Sequence, residues 1–146
     1  MSSSQKIALK VATVLWIIWG IVHALAGTSI IAGDTISGFQ AIGDAVEPAE
    51  LKANYHPAVG AVLNQHAWNL LWFGVVTMIG AVFIWKGAVN TIWMTAIVGG
   101  LADPGGYAKF FPGTVMTIVS ATVIILSFWV WLSGARSRQT YETIDQ

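Results

Sequence analysis

The sequence predicts an all-α integral membrane protein. The expected fold is a four-helix transmembrane bundle with both ends inside and a short capping segment on the outer side. Three observations predict it. First, 55% of the residues are apolar and only 10% are charged, where a soluble domain carries about a quarter charged residues. Second, four apolar stretches reach or approach the roughly 20 residues that cross a hydrocarbon core of about 30 Å. Third, the cations fall on one side of this layout. With both ends cytoplasmic, the inner side holds Lys6, Lys10, Lys86, Arg136 and Arg138, and the outer side holds Lys52 and Lys109. The excess of Lys and Arg sets the orientation. Asp34, Asp44, Glu47, Glu50 and Asp103 fall outside. One domain is enough for 146 residues.

The first span is expected over 7–32. Lys6, Lys10 and the following apolar run ending in Ala24-Leu25-Ala26 imitate a signal peptide. The apolar stretch continues through "GTSIIAG" to Gly33, so an uncleaved helix is expected. Residues 34–56 form the outer cap, where Pro48 followed by "AELKAN" predicts a short surface helix. The second span is expected over 57–85, with Pro57 at the first helical position. The third, 88–102, has about 15 residues and a length of roughly 23 Å. That is short of the core thickness of about 30 Å. The loop after it, 103–111, is therefore expected to begin below the outer surface, buried in protein or lining a wet cavity. The fourth span is expected over 112–132, with a cytoplasmic tail over 133–146. Trp85, Trp93, Trp129 and Trp131 lie near inner ends, as an aromatic belt requires. Trp16, Trp19, Trp68 and Trp72 lie nearer mid-span.

Several function classes are removed by composition. The formal net charge is zero and no basic run is interleaved with aromatics, so nucleic acid is not an expected partner. The absence of cysteine removes disulfides, iron–sulfur clusters and thiolate zinc sites. The expected partners are the lipid bilayer and either copies of the chain or a larger membrane complex. The expected location is a plasma membrane of the bacterial inner-membrane kind.

The polar residues inside the spans carry the functional expectation. "HPAVGAVLNQHAWNLLWFGVV" (His56–Val76) places Asn64, Gln65, His66 and Asn69 in one apolar helix, and the first helix carries His23. Counting from the expected outer ends puts His23 roughly 16 Å and His66 roughly 14 Å below the surface. His66 and Asn69 are three apart and Gln65 and Asn69 four apart, so they share a face. On the first helix Trp16, Trp19, Gly20 and His23 form a comparable stripe, and Gly20, Ala24 and Gly27 permit close approach. The expectation is that these stripes face each other.

An ionisable side chain at this depth is a functional candidate. Two histidines on different helices are suited to the axial positions of a haem. They are equally suited to a transition metal, with Asp103 or His56 as a third ligand. Gln65 and Asn69 would orient them, and Trp19 and Trp72 would wall the site. Gly20 and Gly74 would supply the gap a haem needs. A lipid-like ligand suits the same aromatic walls. The leading expectation is thus a cofactor or small-ligand site between the first two spans. The alternatives are a non-catalytic accessory subunit of a homo-oligomer or larger complex, and an oligomeric ion or proton conduit with His23 and His66 as relay groups. The same polar residues also serve as interhelical glue in many bundles. Enzyme chemistry is disfavoured: no paired carboxylate, nucleophile–base arrangement or phosphate loop is legible.

Overall fold

The computed structural model describes residues 2–42, 49, 51, 52, 54–88, 90–100 and 111–144, with side chains except at 100, 111–114, 116, 117 and 134–144. Its described secondary structure is helical: α1 (Ser3–Ala32), α2 (Thr35–Ala41), α3 (Pro57–Trp85), α4 (Thr91–Gly100) and α5 (Phe111–Ile144).

α1 starts where Ser2 caps it. The Ser2 hydroxyl accepts from the Gln5 amide at 3.3 Å, and the Gln5 side chain accepts from the Ser2 amide at 2.8 Å. That reciprocal pair satisfies two donors that the first turn leaves open. α2 uses the same device. Asp34 accepts from the Ser37 amide at 2.8 Å, while the Ser37 hydroxyl accepts from the Asp34 amide at 2.9 Å. His56 caps α3 through Nδ1, which accepts from the Ala58 amide at 3.2 Å. Pro57 follows at the first helical position, where its missing N–H costs nothing. α3 ends in a Schellman closure. The Ala88 amide donates to Phe83 O at 3.0 Å and the Gly87 amide to Ile84 O at 2.9 Å, with Gly87 at φ +90°. Glycine holds that conformation without a Cβ penalty.

α1 and α3 form the central pair. On α1 the small residues Thr13, Gly20 and Gly27 are buried at seven-residue spacing, and on α3 Ala67, Gly74 and Ala81 repeat the same period. A seven-residue repeat keeps one seam on the partner along the whole contact. The backbones touch along it. A Cβ on Gly27 would lie 2.7 Å from Leu71 N, and one on Gly20 would lie 2.7 Å from Gly74 O. α5 packs on α1, and α4 packs on α3 and α5. α2 lies across the end of α1 and the start of α3. A Cβ on Gly38 would meet Leu63 Cδ2 at 2.8 Å and Ile30 Cγ2 at 3.1 Å.

The outside of the molecule is apolar. Ile7, Val11, Ile18 and Leu25 on α1 and Val62, Val75, Ile79 and Phe83 on α3 are all exposed. α1 and α3 are each long and apolar enough to cross a membrane. Contiguous apolar surface of this extent suits lipid or protein rather than water. The described part of α4 is 10 residues, which is about 15 Å of helix.

Two elements differ from expectation. The cap helix forms at Thr35–Ala41, because "DTIS" supplies a reciprocal cap that the sequence reading passed over. Most of the predicted "AELKAN" helix lies outside the described residues. α5 does not stop at Leu132 but continues helically to Ile144. Its polar end contains no proline or glycine after Gly134, so nothing in the chain interrupts the helix.

Candidate functional site

Helix α1 buries His23 at 8% exposure, between the two backbone contacts at Gly20 and Gly27. Its ring stacks on Trp19, with centroids 3.7 Å apart and planes 21° from parallel. His23 Nδ1 lies 2.9 Å from Trp19 O, one turn below. A carbonyl oxygen only accepts, so Nδ1 carries the proton and donates. In the neutral ring the lone pair is then on Nε2. Trp19 is fully buried, and it meets fully buried Trp16 edge-on with centroids 5.9 Å apart.

His66 is half-buried on α3 and within electrostatic reach of His23. The helix register fixes their relative heights. The pair is antiparallel: Gly27 meets Ala67 and Leu71, Gly20 meets Gly74 and Met78, and the Lys10 ammonium lies 5.4 Å from the Trp85 ring centre. On that register His23 is level with the Trp72 region and His66 with the Ser29 region. The two histidines are therefore offset by about six residues, or about 9 Å along the helices. The expectation of equal depth rested on both helices ending at one height. Instead the first two turns of α3 rise past the end of α1 and pack on α2, where a Cβ on Gly60 would meet Thr35 Oγ1 at 2.8 Å.

Gln65, Asn69 and Trp72 do not wall His23 as Trp19 does. Gln65 is exposed, Asn69 half-buried and Trp72 38% exposed. The Trp72 indole donates to Asn69 Oδ1 at 3.2 Å and packs on Phe73, with centroids 4.1 Å apart. Trp68, at 61% exposure, is on the same outer side. The 3.6-residue period explains the split. The buried seam of α3 runs through Leu63, Ala67 and Gly74, and residues 65, 68 and 72 point away from it. Gln65 and Asn69 are thus not placed to orient His23, and Trp19 alone of the two expected tryptophans walls it. Gly20 and Gly74 bring the α1 and α3 backbones into contact at their level instead of opening a gap. Asp103 lies outside the described residues. Among the described residues no three His, Asp or Glu side chains gather as a metal site.

Sequence reasoning missed a second polar feature. Thr13, Thr77, Thr95, Ser120 and Ser127 are also buried, one or two from each of the four packed helices. Their signal in the sequence was weak, since single hydroxyls are common in apolar helices. No protein-family model matches the chain, and no curated protein or solved structure matches it either.

Proposed function

We propose that this chain is a small four-span membrane protein in which His66 and His23 act in series as proton-relay groups. The observation that carries the reading is their offset. Two histidines on facing helices, whose backbone positions are offset by about 9 Å along the helix direction, suit a staggered relay better than a shared axial ligand pair. Lys10 and Trp85, stacked at one level, suit the inner boundary, where snorkelling Lys and belt Trp are expected. A core of about 30 Å then ends about 20 residues higher, near Ile30 on α1 and near Gln65 on α3. His66 stands at that outer edge, half-buried, and His23 stands near the middle, buried. Asn64, Gln65 and Trp68 fall in the outer headgroup zone, where exposed amides and indoles find partners. The polar cluster of α3 then divides: its amides serve the interface, and its histidine faces inward.

The test is proton flux into liposomes carrying the purified protein, driven by a potassium diffusion potential and read with an internal pH dye. Flux that falls at least tenfold in both His23→Ala and His66→Ala supports the relay. Absence of flux in the unsubstituted protein, or flux unaltered in both variants, defeats it.

A second reading is ligand binding at His23. It is favoured by the Nδ1–H to Trp19 O bond, since metal-binding histidines are commonly held this way through the other nitrogen. Elemental analysis and an absorption spectrum of the purified protein test it. A stoichiometric metal or chromophore lost in His23→Ala supports it, and a colourless, metal-free native preparation removes it.

A further inference from the structure

The end of the α1–α3 pair that holds Lys10 and Trp85 carries cations without a counter-charge. Lys6, Lys10 and Lys86 are all exposed there. Lys6 and Lys10 are four residues apart on α1, so they share a face and stand about 6 Å apart along the axis. The Lys10 ammonium lies 5.4 Å from the centre of the Trp85 ring. Lys86 follows Trp85 as the C-terminal cap of α3. The register that sets Gly20 against Gly74 and Gly27 against Ala67 and Leu71 puts Lys10 and Lys86 at one level, with Lys6 one turn closer to the end. Among the described side chains the only carboxylate is Asp34, which caps α2 at the opposite end of α1.

We infer that this end of the α1–α3 pair binds an anionic glycerophospholipid, with the phosphate among Lys6, Lys10 and Lys86 and an acyl chain along α1. Two observations select a lipid over a free anion. The first is the stripe above the lysines. Val14 is four residues on from Lys10 and Ile21 seven further, so they continue the face that Lys6 and Lys10 begin. Both are exposed, at 48% and 44%. Cations followed by an apolar track of roughly 16 Å match a phosphate joined to an acyl chain, whereas a free ion would use the cations alone. The second is Trp85, which is exposed and carries the Lys10 ammonium against its ring. An indole has an apolar body and a polar N–H, which suits the headgroup level. A lysine already resting on that ring loses less freedom when a phosphate binds. Each basic side chain near the surface strengthens attraction to anionic lipid about fivefold. A zwitterionic lipid carries its own cation and gains little. The inference rests on the membrane-spanning reading of α1 and α3 and is independent of the proton relay.

The test is native mass spectrometry of the full-length protein, titrated in mild detergent with phosphatidylglycerol or with phosphatidylcholine of matched chains. The first phosphatidylglycerol should bind roughly twentyfold more tightly than the first phosphatidylcholine. That preference should fall about fivefold in Lys10→Gln, fall again when Lys86→Gln is added, and persist in Lys10→Arg, which keeps the charge. Lys86→Gln alone gives the same reading should Lys10→Gln fail to fold. Lys52→Gln should leave the preference unchanged, because Lys52 sits with Tyr55 and Phe39 at the α2 end. Equal affinity for the two lipids overturns the proposal. So does a preference that the lysine variants leave intact, or one that Lys52→Gln lowers as much. Displacement of the lipid by an equal concentration of inorganic phosphate also overturns it, since the apolar track would then add nothing. A protein that retains neither lipid defeats the membrane-spanning reading as well, whereas equal affinity for both leaves that reading standing.

Discussion

Replacing Gly74 by alanine tests the central contact on which the site depends. A methyl carbon there would lie 2.7 Å from Ala24 N and 3.1 Å from Ala24 Cβ, and closer still to Gly20 O. Two of these three atoms belong to the α1 backbone, which cannot rotate away as a side-chain tip can. α1 and α3 must separate, and the separation is felt at His23, one residue from Ala24. Inserting a methyl into a packed core costs typically 1–3 kcal/mol, and rigid neighbours place this case at about 3. Alanine in place of glycine in a helix interior returns about 1 kcal/mol. The net expectation is about 2 kcal/mol of destabilisation, or roughly thirtyfold in the unfolding equilibrium at 1.4 kcal/mol per tenfold. Reversible unfolding in mixed micelles, followed by tryptophan fluorescence, measures it. Gly60→Ala is the control, because its added carbon meets only the Thr35 side chain, with Oγ1 at 2.8 Å and Cβ at 4.0 Å. A small rotation of that hydroxyl relieves the contact, so the control should keep most of the same helix-propensity gain of about 1 kcal/mol and be at least as stable as the parent. Gly74→Ala as stable as Gly60→Ala would refute backbone contact between α1 and α3 at this level.

Three further outcomes follow from the geometry. Gly80→Ala should destabilise through collision with the Thr95 side chain, and Thr95→Ala should recover most of the loss, a non-additivity read from a double-mutant cycle. Lys10→Gln should cost about 0.5–1 kcal/mol by removing the ammonium from the Trp85 ring, with a change in fluorescence that Trp85→Phe abolishes. The Asp34 carboxyl is held below its ordinary value of 3.8, chiefly by the Ser37 hydroxyl and then by the Ser37 amide. A depressed folded pKa means that its stabilising effect is present above the unfolded value and is lost as pH falls through the folded one. The 13C titration of Asp34 should therefore have a midpoint below 3.8 that rises in Ser37→Ala. An unchanged midpoint in that variant would reject the hydroxyl as the main cause.

Helix content and helix limits were legible where the signals are local. Pro57 after a capping residue sets the start of α3, and Gly87 sets its end, because both act through their own backbone geometry. The apolar length of α1 and α3 was legible for the same reason: it is a property of composition along a segment. The "DTIS" cap of α2 was present in the sequence but was outweighed by the proline and helix formers of "PAELKAN", a competition between local signals that position alone cannot resolve. The polar residues were found by type, but their roles were not.

What the sequence determined by itself is the helical class, the apolar lengths of the first two long helices, and the presence of histidines within them. Those follow from residue types and from a helical period that any observer can count. The tertiary structure alone decided which way each polar residue points and how high it stands. Gln65 and His66 are neighbours in sequence, yet a 100° turn per residue sends one outward and leaves the other half-buried. The height of His23 relative to His66 depends on where Gly20 meets Gly74, and Thr77 becomes an unbonded interior group only once Gly99 and Trp16 close around it. Such facts reside in the register between helices. Register is set by the packing of side chains far apart in the chain, so no local stretch of sequence carries it.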